Sequence, residues 1–100
     1  MQIQINYGDV QSSDGLENAV RDQLEKKLAH LSDSVTRVEV HLRDDNAGKS
    51  GPQDKRVMME GRIASDNPLA VEAQSDDMYS AIADAAGKLQ RAISTRVAKK

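Results

Sequence analysis

The chain has 100 residues, with 14 Lys+Arg against 16 Asp+Glu, two His, two Tyr, and no Cys, Trp or Phe. That length suits one domain with a thin core, and zero cysteine excludes a disulfide framework, thiolate catalysis and Cys-ligated metal centres. No apolar run approaches the ~20 residues that cross a bilayer, the opening Met1-Gln2-Ile3-Gln4-Ile5 lacks the basic and apolar regions of a signal peptide, and a formal net charge of −2 argues against a generic polyanion binder.

The first predicted element is a strand, in which Ile3, Ile5 and Tyr7 alternate with Gln2, Gln4 and Asn6. Asp9 to Gly15 is polar and turn-rich. Ser13 or Asp14 can cap the helix that follows, with Glu17 closing a capping box if Asp14 is the cap. Leu16, Val20, Leu24, Leu28 and Leu31 form one apolar stripe and predict a helix of about 17 residues. Lys27 lies close enough to that stripe that it must snorkel. Ser32-Asp33-Ser34 ends the helix.

Val38, Val40 and Leu42 alternate with Arg37, Glu39, His41 and Arg43 in a second strand. Asp44 to Asp54 reads as an eleven-residue mobile connection with no apolar anchor except Ala47. Val57, Met59, Gly61 and Ile63 mark the inner side of a third strand. Ser65-Asp66-Asn67-Pro68 is a turn, and Leu69, Val71 and Ala73 supply a fourth strand. Ser75, Asp76 or Asp77 caps the last helix, whose apolar positions are Met78, Ile82, Ala85, Ala86, Leu89, Ile93 and Val97. Gly87 costs that helix roughly 1 kcal/mol against Ala. It lies nearly opposite Met78 on the helical wheel, so packing against the core does not explain it.

The order β-α-β-β-β-α predicts an α+β fold, a four-stranded mixed sheet with two helices packed on one face. The first two strands should be parallel and the last three an antiparallel meander. With no internal repeat, residues 1–100 read as a single domain.

Catalytic and metal motifs fail on inspection. Gly48-Lys49-Ser50 ends like a phosphate loop, but Arg43 stands where its first glycine belongs. Asp44, Asp45 and Asn46 hint at calcium, yet Lys49 and Lys55 occupy the positions that need Gly and Glu. His30 and His41 have no partners at metal-ligand spacing, and no general acid/base pair can be nominated. The sequence points to a protein that is not an enzyme, with no metal, no cofactor and no small-molecule substrate.

The charge is unevenly placed. Residues 1–50 carry a net −3 and residues 51–100 a net +1, and Lys88, Arg91, Arg96, Lys99 and Lys100 follow Asp84 with no acid among them. Lys88 and Arg91, then Arg91, Thr95 and Lys99, fall on one flank of the last helix, while Lys26, Lys27 and His30 cluster on the first. Side by side, the helices would present a basic-leaning surface of the kind that holds folded RNA by shape and backbone. Asp22, Glu25 and Asp84 interrupt it. A helix C-terminus with a solvated tail accounts for the same residues. Tyr7 and Tyr79 read as structural, so there is no aromatic platform for single strands.

Over essentially its whole length the chain resembles the ribosome hibernation-promoting factor and ribosome-associated inhibitor family. The resemblance rests on Met1-Gln2-Ile3-Gln4-Ile5, the Leu16 helix, Arg37-Val38-Glu39-Val40, and above all Asp77-Met78-Tyr79-Ser80-Ala81-Ile82 followed by Lys88-Leu89-Gln90-Arg91. It implies a cytoplasmic domain that binds the small ribosomal subunit and its 16S rRNA, blocks the messenger and transfer RNA sites, and silences idle ribosomes under stress. It implies no DNA or membrane partner. The matching RNA contacts are Lys88, Arg91, Lys99 and Lys100, with Lys26 and Lys27 on the first helix; Met78 and Tyr79 carry over as fold-forming. Ending at Lys100, the chain looks like the short type. The long segment Arg43–Arg56 and the negative net charge resemble a divergent branch. The alternative is a small protein-interaction module using the open sheet face or the 44–54 segment.

Overall fold

In the computed structural model, which describes residues 1–45, 54–64 and 66–98, the elements follow the predicted order. They are β1 (Gln2–Asn6), α1 (Asp14–Lys27), a 3-10 turn (Ala29–Leu31), β2 (Val35–Asp44), β3 (Lys55–Ile63), β4 (Leu69–Ser75) and α2 (Met78–Ala98). The strands form one sheet in the order β1-β2-β3-β4. β1 runs parallel to β2, with Ile3 beside Val38 and Ile5 beside Val40. β2–β3 and β3–β4 are antiparallel. The mixed α+β sheet is as expected.

Period-two alternation places Val38, Val40 and Leu42 of β2 and Val57 and Met59 of β3 on the dry face, all buried. Leu24 and Leu28 meet them from the first helical segment, and Ile82, Leu89 and Ile93 from α2. Burying each of these large side chains contributes about 1.5–3 kcal/mol. Gly61 sets how closely α2 approaches. A Cβ there would lie 3.2 Å from Ile93 Cδ1 and 3.3 Å from Leu89 Cδ1, so the helix rests on β3 where no side chain intervenes.

The boundaries differ from the sequence reading at the end of the first helix and at Asp44, and the cap is settled between its two candidates. The first helix is shorter than about 17 residues: α1 ends at Lys27, and Leu31 N–H then donates to the Leu28 carbonyl in a 3-10 turn. Ser13 is its cap, with Oγ accepting from Leu16 N at 3.1 Å, and Glu17 pairs with Arg21 instead of closing a box around Asp14. Ser13→Ala should therefore cost about 1 kcal/mol and lower the thermal midpoint by roughly 4–8 °C, measurable by calorimetry.

The 44–54 segment begins inside a strand, and its two ends are tied to each other. Asp44 closes β2, Asp45 N–H donates to the Asp54 carbonyl at 2.9 Å, and Asp54 is buried. Lys55 bonds both Asp54 (3.1 Å) and Asp44 (3.3 Å), and the bond to Asp54 raises the lysine pKa above its ordinary value. Residues 46–53, Ala47 included, lie outside the described residues, as does Ser65.

Candidate nucleic-acid interface

Both helices lie over the sheet and run the same way. The start of α1 sits by the start of α2, since a Cβ on Gly15 would fall 2.8 Å from Tyr79 Oη. The end of α1 reaches the middle of α2, where Lys27 Nζ donates to the Ala83 carbonyl at 3.0 Å. Acidic groups therefore gather where the helices begin: Asp14 and Glu17 on α1, and Asp77, which caps α2 by accepting from Ser80 N at 3.0 Å. Basic groups gather where they end, with Lys26 and Lys27 in the last turn of α1 and Arg96 in that of α2. Each sign suits the helix dipole at its own end.

Between these ends lies an open cleft of about 330 Å³, lined by Lys27, Ala73, Gln74, Ala83, Asp84, Gly87, Lys88 and Arg91. Lys27 stands on one side. From the other, Lys88 Nζ reaches back to β4 and donates to the Glu72 carbonyl at 2.9 Å. Arg91 leans over Gly87, and a Cβ on that glycine would lie 3.5 Å from Arg91 Nη1 and 3.6 Å from Lys27 Nζ. Asp84 is the one carboxylate among the lining residues. Asp22 and Glu25 are exposed on the opposite side of α1 from Lys27, given about 100° of rotation per residue.

The structure thus brings Lys27, Lys88 and Arg91 together. Lys26 is exposed but does not line the cleft, and Lys99 and Lys100 lie outside the described residues. Arg96, counted among the basic residues of the last helix, is held by Asp66 at 3.2 Å and by the Asn67 carbonyl at 3.1 Å. Among the described residues Lys26, Lys27, Lys88 and Arg91 form no ion pair.

The open sheet face has the opposite character. Arg62 binds Glu39 (3.2 Å) and Glu60 (3.5 Å), and Arg43 and Arg56 share Asp45 at 3.2 Å each. Among the described residues no group of three or more His, Asp or Glu could hold a metal ion, and no helix is long and apolar enough to cross a membrane.

Gly87 is the site residue that sequence reasoning missed. It is buried, although it faces away from the core, because Lys27 and Arg91 close over it. Its signal was a costly glycine mid-helix with no core neighbour to explain it.

The family model described as Sigma 54 modulation protein / S30EA ribosomal protein matches residues 3–100. The chain belongs to this family. The likeness to hibernation-promoting factors is therefore borne out. A ribosomal subunit interface protein from Coxiella burnetii has a similar structure, with a TM-score of 0.76 and 24% identity over 98% of this chain and 99% of that one. The N-terminal domain of Protein Y from Thermus thermophilus aligns with a TM-score of 0.66 and 27% identity, over 93% and 96% of the two chains. No curated protein sequence matches the chain. Membership in this family makes association with the ribosome the frame in which the cleft is read.

Proposed function

We propose that this protein binds the small ribosomal subunit with the cleft side of its two helices against 16S rRNA. It occupies the messenger and transfer RNA sites and keeps idle ribosomes inactive under stress. The action is steric, carries no covalent chemistry, and takes place in the cytoplasm. Residues 1–100 act as one domain in it. Lys88, Arg91 and Lys27 make the central contacts, with Lys26, Lys99 and Lys100 at the margin.

One observation carries this reading. On the sheet face Arg43, Arg56 and Arg62 are matched by carboxylates, whereas among the described residues Lys27, Lys88 and Arg91 around the cleft form no ion pair. Paired surface charges exert little outward field; unpaired ones steer a polyanion. A protein of net charge −2 can hold RNA because the relevant field is local.

Purified protein should co-sediment with small subunits at low salt. Some three to five phosphate contacts give log affinity against log salt a slope of about −2 to −4.5. Prior loading with messenger and transfer RNA should compete. Absence of pelleting at low salt would sink the ribosomal reading, and pelleting without competition would move the contact elsewhere on the subunit.

A further inference from the structure

We infer that Gly87 is the floor of a seat for a single RNA phosphodiester, gripped by Lys27 from one side and Arg91 from the other. This rests on the proposed RNA contact and goes beyond it, by assigning the determinant to a residue that carries no charge.

One of the two cationic heads is held in place before any ligand arrives. Lys27 Nζ is fixed by the Ala83 carbonyl at 3.0 Å, which spends one of its three donors and leaves two. Arg91 presents a fork of five donors and forms no ion pair among the described residues. Both heads lie within 3.6 Å of the point where a Cβ on residue 87 would stand. With only a hydrogen at that point the two heads close over Gly87, where one oxyanion can bridge them; a methyl group would take up part of that space.

The cleft has room for a phosphate and the charge to attract one. A cleft of about 330 Å³ is at the small end of the range for ligand sites, roughly 300–1,000 Å³. Lys27, Lys88 and Arg91 line it, with Asp84 as the one opposing charge. The balance, three cations against one carboxylate, leaves the cleft net positive, as an RNA phosphate requires. Lys88, tied to the Glu72 carbonyl, serves the neighbouring phosphate.

The distances to Arg91 and Lys27 are ordinary van der Waals contacts, so alanine fits at residue 87 without displacing either side chain. This separates the seat from a diffuse basic surface. Gly87→Ala keeps every charge and improves helix propensity, so the thermal midpoint should rise by about 4–8 °C. Affinity for small ribosomal subunits should nevertheless fall about tenfold, the size of one lost charge-assisted contact. In wild type, inorganic phosphate should shift the backbone amide resonances of Gly87 and Arg91, and in the variant it should not. Arg91→Lys, which keeps the charge and loses the fork, should also weaken subunit binding.

Equal subunit affinity of wild type and Gly87→Ala would overturn the seat while leaving the ribosomal reading standing. Phosphate shifts in wild type beside equal affinities would likewise overturn the assignment, since the site would then bind free phosphate and no RNA phosphodiester. If wild type does not bind subunits at all, the ribosomal reading falls and the phosphodiester assignment falls with it.

Discussion

Leu89→Ala should lower the free energy of unfolding by roughly 3–5 kcal/mol, the largest loss expected from a single residue of the core. Leu89 is fully buried and its methyl groups pack onto the bare backbone of Gly61. Truncation leaves a void at the contact between α2 and β3, which neither a strand in a paired sheet nor a long helix can easily collapse to fill. Against a typical total of about 5–15 kcal/mol, the variant would be marginal at physiological temperature. The check is urea denaturation. The midpoint should drop while the slope stays constant, as for a change in stability without a change in the surface exposed. A loss below about 1 kcal/mol would mean that α2 is not seated on β3 through this residue.

The largest functional effect belongs to the double reversal Lys88→Glu with Arg91→Glu. Both side chains are exposed, and among the described residues the one side-chain bond lost to the rest of the fold is that from Lys88 to the Glu72 carbonyl. Thermal stability should change by no more than about 1 kcal/mol. The cleft, however, passes from net positive to net negative. Two charge-assisted phosphate contacts are replaced by two repulsions, so small-subunit affinity should fall by a hundredfold or more and pelleting at moderate salt should vanish. Sedimentation of the variant beside wild type reads this directly. Pelleting that survives the reversal would remove the cleft as the contact surface.

Much of this molecule could be read before its structure. The alternation at Val38, Val40 and Leu42, and again at Val57, Met59 and Gly61, predicts two half-dry strands, and both are present. The stripe from Leu16 to Leu31 predicts a helix but cannot show where it tightens. Leu28 and Leu31 stay buried through a 3-10 turn as well as they would in an α-helix, so periodicity carries no mark of the change. Asp44 and Asp54 read as solvated loop because a strand's polar end looks the same as a loop until its cross-strand partner is known. The partner is Lys55.

The site was legible in part, for a related reason. Spacing along α2 places Lys88 and Arg91 on one flank, and the snorkelling expected of Lys27 is what carries its ammonium to Ala83. A helical wheel measures each residue against its own core stripe and says nothing of a neighbouring helix. Gly87 therefore had no account until α1 was in place beside it. The capture of Arg96 by Asp66 joins a helix end to a turn thirty positions earlier in the chain, a pairing that no local pattern announces.

The common direction of α1 and α2 has a consequence for encounter. Asp14 and Asp77 where the helices begin, and the ammonium groups of Lys26 and Lys27 where α1 ends, make the helical layer an electric lever, which a distant polyanion can rotate before any atoms touch. Collisions that arrive acid-first are brief, and those that arrive base-first persist. Orientation on approach is thus written into chain topology, and a protein with a surplus of negative charge can present its cationic end to RNA without becoming adhesive everywhere.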